Sequence, residues 1–565
     1  MRKSLIYKIM ALVAMTTILV STIPLAGLTG VFEGAVTKVF AAEIDHFDTS
    51  KLTKTSSGRF SGVAWTVYSN NLLWVEDDKS GETAYGDSNV IDGEQFKLAS
   101  LTYDPNFNTE LTSIKYLYID ITAPKSVSQL VYNLDAVEQI KLGDTFVNTS
   151  SNITNMSSMF YSNDCLTNIY LNGLKTSNCT NMRMMFAYCS SLKQVDVSSF
   201  DTSKVTNVSL MFYYCKSLTE LNVSNFDVSN VTNFSSMFYG CNKLTKLDLS
   251  NFVTSKATNM NCMFGSCDAL TTLDISRFNT SNVTDMGSMF WYCKSLSSLN
   301  LGHFSTNKVT NMYQMFYKCQ ALTTLDLSNF NTSIVTNMGS MFQDCISLTS
   351  VDVSSFDTGK VTNMSSIFNN CCNLESLDVS NWDVSNVETL GYAFYCCKKL
   401  KCLDLSNFDM SNVILFNNMV ENGENLHILK MPKNSSATST LSGCWYALKN
   451  DNTLDKTTLY TSIPTTGTTD VTLIREEFHT CTRHDDGTGT CTACGIKVRY
   501  GDVNDDDNIN IADAVALKKY LSGYEDDNIN LYTADTIADK ELNINDAVKL
   551  MKYLAGINVE LGLAE

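Results

Sequence analysis

A dipeptide recurs along this chain with a fixed step. Asn181-Met182, Asn207-Val208, Asn233-Phe234, Asn259-Met260, Asp285-Met286, Asn311-Met312, Asn337-Met338 and Asn363-Met364 follow one another with a constant period of 26. Asn155-Met156 precedes them in register, and Leu390 and Phe416 continue it as the pattern decays, giving about eleven registers down to Pro432. In the unit Asn233 to Thr258, Leu244-x-x-Leu247-x-Leu249 sets Leu247 and Leu249 on one strand face. Met237-Phe238 and Cys241 suit a short helical or turn segment packing behind it. One unit buries too little apolar surface to offset the entropy of ordering its own backbone, so the units must stack. The expected product is a curved solenoid with a parallel β-sheet, its rungs about 4.8 Å apart and its length about 50 Å. No proline lies between Pro124 and Pro432, which fits one uninterrupted array.

The array explains why the length misleads. At about 150 residues per domain, 565 residues predict four globules, yet about half the chain is a single repeat structure. Lys and Arg total 41 against 59 Asp and Glu, a net charge of −18 that opposes phosphate backbones and argues against nucleic acid as a partner. Five scattered histidines leave few candidates for acid/base work near neutral pH. At the N-terminus, Arg2, Lys3 and Lys8 precede an uncharged run from Ile9 to Phe32, and Val39-Phe40-Ala41 places small residues at the −3 and −1 positions. This reads as a signal peptide over 1–42, with an uncleaved anchor as the alternative. The mature chain is expected to be secreted, with no membrane span, and held at a cell surface only through a partner.

The pattern L-x-x-L-x-L-x-x-F followed by T-S-x-V-T-N-M-x-x-M-F-x-x-C, carried from Asn155 to Pro432, resembles the BspA-type leucine-rich-repeat surface proteins of bacteria. The resemblance implies a mainly β, leucine-rich-repeat solenoid with short helical turns, and an association with adhesion to host or matrix components. The fold alone names no ligand. Ser56 to Glu76, with Ala64 to Tyr68 and Leu72 to Val75 alternating like strands, resembles the β cap that precedes such repeats. Leu441 to Ile474 would close the other end. The expected division is a β-rich cap over 43–128, repeats over 129–432, a C-terminal cap over 433–475, a linker over 476–499 and a small all-α domain over 500–557.

Three ladders run through the array. Cys189, Cys215, Cys241, Cys267, Cys293, Cys319, Cys345, Cys371 and Cys397 share one position. Equivalent side chains project in parallel, so their Cβ atoms stay about 4.8 Å apart where a disulfide wants about 3.8 Å. Buried free thiols are the expectation. Asp196, Asp248, Asp274, Asp326, Asp352, Asp378 and Asp404, with Asn222 and Asn300 in the same column, are expected to point to the solvated sheet face beside Ser198, Ser224, Ser250, Ser328, Ser354, Ser380 and Ser406. They form either a polar groove for a glycan or basic protein segment, or hydrogen bonds along the sheet. The varying column Glu220, Lys246, Thr272, Ser298, Thr324 is the better place for specificity. Trp291, Tyr292, Tyr317 and Tyr395 read as unphased surface variation rather than as a sugar platform.

The C-terminal domain carries the sharpest chemistry. Asp502, Asn504, Asp506, the Asn508 carbonyl, Asn510 and Asp513 supply oxygens at the spacing of a calcium loop, followed by a helical run from Ala514 to Leu521. A second loop offers Asp535, Asp539, the Glu541 carbonyl, Asn543 and Asp546; Ile537 and Lys540 replace a ligand and the usual glycine, so weaker binding is expected there. Ile511–Gly523 (IADAVALKKYLSG) and Ile544–Gly556 (INDAVKLMKYLAG) agree at most positions. This duplication resembles a type I dockerin. The resemblance implies a cohesin-bearing scaffold of a cellulosome-type complex as partner, contacted through Ile511, Ala512, Lys518 and Lys519 in one half and Ile544, Asn545, Met551 and Lys552 in the other.

Between the modules, His479, Cys481, Cys491 and Cys494 could hold zinc; a disulfide from Cys481 or a flexible linker fits the same spacing. No nucleophile elbow, zinc-protease helix or phosphate loop occurs. The expected function is a secreted, non-catalytic binding protein whose array takes an extracellular glycan or protein and whose tail docks calcium-dependently on a cohesin. The alternative is an enzyme or accessory component in polysaccharide degradation, which would need a carboxylate pair in a pocket.

Overall fold

The computed structural model describes residues 46–60, 63–78, 97–98, 107, 111–171, 173–435, 439–449, 454–463 and 471–475, with 514, 517, 521 and 544–554 near the C-terminal end. The first sheet shows how an ordinary antiparallel start becomes a solenoid. β1 (Lys54–Phe60), β2 (Val63–Tyr68) and β3 (Leu72–Asp77) pair antiparallel, and β3 then continues in parallel through β4 (Tyr116–Asp120) and β5 (Gln139–Leu142) to β6 (Asn168–Tyr170). A short helix, α1 (Asp144–Thr149), follows β5 and buries Phe146 and Val147. β2 reads V-A-W-T-V-Y and buries Val63, Trp65 and Val67 on one face, the period of two that a half-buried strand requires. Trp65 meets Phe107 edge-on at 4.9 Å. Residue 58 opposite it must be glycine, since a Cβ there would come within 2.5 Å of the indole.

From Ser126 to Leu415 the rungs are joined by a line of parallel bridges through the positions that carry the recurring Asn. Most of these steps keep the sequence period, as from Asn181 to Asn207; the first, Ser126 to Asn155, is slightly longer. The strand line beside it is reduced to two-residue pairs such as β7 (Glu220–Leu221) with β8 (Lys246–Leu247) and β9 (Thr324–Leu325) with β10 (Ser350–Val351).

The segment behind the strand is turn throughout, not helix. Within one unit, Met182, Met184, Phe186 and Tyr188 donate their N–H groups to Asn207, Ser209, Met211 and Tyr213 of the next rung, at 2.7–3.0 Å. The alternate residues Met185, Ala187 and Cys189 close on their own rung, to Met182, Met184 and Phe186. Met184 and Tyr188 take left-handed backbone (φ 58° and 62°), and the same two positions do so in rung after rung. Left-handed residues every fourth position break a helix. The bonds to the next rung offset their strain, which is why the segment needs neighbours to exist.

The core is equally periodic. Phe186, Phe212, Phe238, Phe264, Phe290, Phe316 and Phe342 are fully buried and stack on successive rungs with ring centroids 5.5–6.0 Å apart. The ladder cysteines are buried reduced thiols. Each donates to a phenylalanine carbonyl of the preceding rung, as Cys241 does to Phe212 at 3.3 Å and Cys319 to Phe290 at 3.1 Å. Burial pushes the thiols of Cys189, Cys241, Cys293 and Cys345 up to about 12. Buried threonines form a staple absent from the sequence reading: Thr202, Thr254, Thr280 and Thr306 donate to carbonyls of the following rung, at 2.8–2.9 Å.

At the far end β11 (Cys402–Asp404) pairs in parallel with β13 (Ile428–Lys430), and β12 (Asp409–Met410) with β14 (Asn434–Ser435). Beyond them, β17 (Thr472–Arg475) lies antiparallel between β13 and the hairpin of β15 (Ser439–Leu448) and β16 (Leu454–Ile463). Buried Trp445 and Ile463 cover the last apolar layer, as a solenoid end requires. Of the C-terminal domain, helix α2 (Ile544–Leu554) buries Ala547 and Leu550 and exposes Val548, Met551 and Lys552. Ala514 and Leu517 are also buried.

Candidate functional site

On the sheet face, the rungs from Asn168 to Asp248 line a groove of about 640 Å³. Its floor is Ile169, Val195 and Leu221, each just short of fully buried. One wall is the column Asn168, Gln194, Glu220 and Lys246; the other is Tyr170, Asp196, Asn222 and Asp248. β7 and β8 set Glu220 directly beside Lys246, so along four rungs the varying column runs from two amides to a carboxylate and then an ammonium.

The aspartate column lines this groove with Asp196 and Asp248 and also makes a local hydrogen-bond pattern of its own. Asp196, Asp248, Asp274, Asp326, Asp352, Asp378 and Asp404 each accept the N–H of the serine two residues on, at 2.9–3.1 Å. In Asp326, Asp378 and Asp404 the same oxygen also takes the serine hydroxyl at 2.6–2.7 Å. These are Asx turns inside one rung that bend the chain out of the strand. Along the sheet, Asp404 also accepts from Lys430 of the next rung through its other oxygen, at 2.7 Å. The serine hydroxyl, followed by the serine N–H, holds Asp196, Asp326, Asp352 and Asp378 below the usual carboxylate range. In Asp248 and Asp274 the serine N–H contributes most. A general acid needs the opposite shift.

The turn side carries what sequence reasoning missed. Tyr161, Tyr188, Tyr213, Tyr214, Tyr239, Trp291 and Tyr317 are half-buried and meet ring to ring across rungs. Centroids are 5.4 Å apart for Tyr161–Tyr188, 5.2 Å for Tyr188–Tyr213, 5.1 Å for Tyr213–Tyr239, 5.7 Å for Tyr239–Trp291 and 6.1 Å for Trp291–Tyr317. Trp291, Tyr292 and Tyr317, expected as unphased variation, are thus members of one array. Tyr395 lies apart and contacts Tyr392. Lys216, Lys294 and Lys318 place ammonium groups 4.7–5.3 Å from tyrosine ring centres of the array. Burial raises the hydroxyl pKa of Tyr161 and Tyr317, and drives Tyr213 and Tyr239 well above the ordinary tyrosine value.

The calcium-ligand positions of the first loop, Asp502 to Asp513, lie outside the described residues, as do Asp535, Asp539, Glu541 and Asn543; Asp546 is described only as backbone of α2. As donor chemistry the first set, oxygens from carboxylates, amides and one carbonyl, fits a hard cation of calcium size. Of the cohesin-facing residues, Met551 and Lys552 are exposed on α2, and Ile544 and Asn545 begin it. Ile511, Ala512, Lys518 and Lys519, and the zinc candidates His479, Cys481, Cys491 and Cys494, lie outside the described residues. Among the described residues there is no cluster of three or more metal-ligating side chains, and no helix is long and apolar enough to cross a membrane.

Fold and repeat together define a leucine-rich-repeat type of parallel β-solenoid. The family model described as "Mycoplasma protein of unknown function, DUF285" matches residues 126–246, 218–325 and 310–431, more than half of the chain. The chain belongs to that family, and the match falls on the residues that carry the BspA-type pattern. The type I dockerin domain matches residues 500–555. Similar solved structures include a leucine-rich repeat protein from Eubacterium ventriosum, with 13% identity, 70% of this chain and 99% of that one covered, and a TM-score of 0.30. A leucine-rich cell surface protein from Faecalibacterium prausnitzii is 13% identical over 66% of this chain and 93% of that one, with a TM-score of 0.26. The functional domain of InlJ from Listeria monocytogenes, which includes a cysteine ladder, is 17% identical over 54% of this chain and 65% of that one, with a TM-score of 0.15. Among curated proteins none matches the chain.

Proposed function

We propose that this chain is a secreted, non-catalytic binding protein: the solenoid takes an extracellular glycan or protein ligand, and the dockerin domain fixes it calcium-dependently to a cohesin on a scaffold. The single observation that carries this reading is the joining of a repeat array, matched over 126–431, to a type I dockerin domain at 500–555 in one chain. Dockerins of this type bind calcium and imply a cohesin partner. Asp502, Asn504, Asp506, Asn508, Asn510 and Asp513 would hold one ion, and Asp535, Asp539, Glu541, Asn543 and Asp546 a second, more weakly bound one. Ile511, Ala512, Lys518 and Lys519, or Ile544, Asn545, Met551 and Lys552, would meet the cohesin. Exposure of Val548 and Met551 on α2 supports an apolar contact on that helix.

For the array, the ionised, turn-locked aspartates favour binding over acid catalysis, and the column from Asn168 to Lys246 offers the variable contacts of the groove. A pull-down of the intact chain on the cohesins of its source bacterium, with and without EGTA, tests the docking half. Calcium-dependent retention by at least one cohesin is expected. Failure with all of them, or retention indifferent to EGTA, contradicts it.

A further inference from the structure

We propose that Cys372 and Cys396 form an oxidation site: their thiols exchange with a small-molecule disulfide and close a cystine that ties one rung to the next. The site lies on the turn side, apart from the sheet-face groove and the dockerin domain, and neither half of the proposed function depends on it.

The ladder cysteines are unsuited to this step. They occupy equivalent positions, project in parallel and are fully buried, each thiol given to a phenylalanine carbonyl. Cys372 and Cys396 escape that constraint because their positions are not equivalent. Cys372 stands just after the ladder residue Cys371, and Cys396 just before the ladder residue Cys397, so the two are slightly less than one repeat apart. Between Cys189 and Cys397 each of these two flanking columns holds a single cysteine, and the two fall on facing positions.

Backbone and side-chain bonds bring the two thiols together. Asn370 is the residue directly beneath Cys396: both take left-handed backbone, φ 61° and 57°, and the Asn370 N–H bonds to the Tyr395 carbonyl at 2.8 Å. Side chains 370 and 396 therefore project alike, one rung apart. The Cys372 thiol donates to the Asn370 side-chain carbonyl at 2.9 Å, which sets its sulfur against the side chain over which Cys396 stands. The carbonyls of the pair accept from adjacent residues, Cys396 from the Lys398 N–H at 2.9 Å and Cys372 from that of Lys399 at 3.2 Å. The same diagonal is in contact elsewhere: the Asn242 amide reaches the Ser266 carbonyl at 3.2 Å.

Both thiols are half-buried, open to a small reagent as the ladder thiols are not. Burial, and then Cys396, push the Cys372 thiol up, while the Lys398 ammonium, paired with Glu424 at 2.6 Å, pulls it back. An adjacent ammonium favours the attacking thiolate. One thiolate of the pair attacks the reagent's disulfide and releases its first thiol; the second cysteine attacks the resulting mixed disulfide and releases the other. The chain loses two hydrogens and the reagent gains them. Secretion, proposed above, would bring the pair into an oxidising space.

The test is to reduce the intact chain, remove the reductant and incubate it, folded, with oxidised glutathione. Remaining thiols are blocked with N-ethylmaleimide in guanidinium, and the chain is cut with trypsin and a glutamate-specific protease without reductant. Cleavage after Lys360, Glu375, Glu388 and Lys398 leaves Cys371 and Cys372 on one peptide and Cys396 and Cys397 on another. The two peptides are expected as a linked pair, lacking two hydrogens, with maleimide on Cys371 and Cys397 alone. Cys372→Ser and Cys396→Ser should each lose the link. Serine already stands in these columns at Ser190 and Ser266, and circular dichroism verifies that the variants fold. Unlinked peptides from the unaltered chain, a link through Cys371 or Cys397, or a link that survives in either serine variant overturns the proposal.

Discussion

The two flanks of a rung are built from the same repeat and treat their polar and aromatic groups in opposite ways. On the sheet side, Asp196 and its equivalents each commit one oxygen to the serine two residues along, so the ladder first serves its own turn. On the turn side, Tyr188, Tyr239 and Trp291 set their rings against neighbours one or two rungs away. Regularity on the first flank reflects the needs of the backbone. Departures from regularity on the second mark where the chain has been specialised.

That contrast can be broken at four points, taken from the largest expected effect to the smallest. Phe264→Ala removes one ring of the buried stack and should cost about 3–5 kcal/mol in urea unfolding; Tyr239→Ala, outside that stack, should cost far less, and equal losses would mean that the outer rings are core. Alkali comes next. The buried thiols keep their protons up to about 12 in Cys241 and Cys293, whereas unfolded thiols ionise near about 8.5. Above that value the unfolded chain binds fewer protons than the folded one, so stability is complete below about 8.5 and falls as pH rises toward 12. Urea midpoints at about pH 8 and about pH 10 should show this drop, reduced in Cys241→Ala; a flat profile would mean that the ladder is not made of buried thiols.

Smaller again is Asp196→Ala, which should lose about 0.5–1 kcal/mol with the Asx turn, while Asp196→Asn keeps an acceptor and most of the stability. A change in ligand binding without a change in stability would mean that Asp196 serves the groove it lines rather than the turn. Gly265→Ala should scarcely alter the melting temperature, yet it should shift tryptophan emission, because the new Cβ pushes Tyr239 off Trp291. Unchanged emission would mean that the two rings are not coupled in solution.

Much of this was legible in the sequence because the repeat length is itself a structural dimension. The recurring Asn-Met and the Leu247, Leu249 alternation place rung and core face. The Asp-x-Ser turn was also available from local turn chemistry, and it leaves Asp196 and Asp248 on the sheet face. The aromatic array was not legible. Some of its contacts, Tyr213 with Tyr239 and Trp291 with Tyr317, are one repeat apart, but others join Tyr188 with Tyr213, one position short of a repeat, and Tyr239 with Trp291, two full repeats on. Only the lean of Tyr239 over Gly265 makes Tyr239 and Trp291 neighbours. For the segment behind the strand the sequence left helix or turn open; it is turn because its N–H groups find partners on the next rung rather than along the chain.

The most direct test of a binder with one end on a scaffold and the other on a ligand is a bridging assay. Cohesin-coated beads are mixed with labelled hydroxyethylcellulose, xylan or polygalacturonate, with and without the intact chain and with and without EGTA. Polysaccharide should stay on the beads only when chain and calcium are both present. Capture of the chain while all three polysaccharides pass through, or capture indifferent to EGTA, would contradict it.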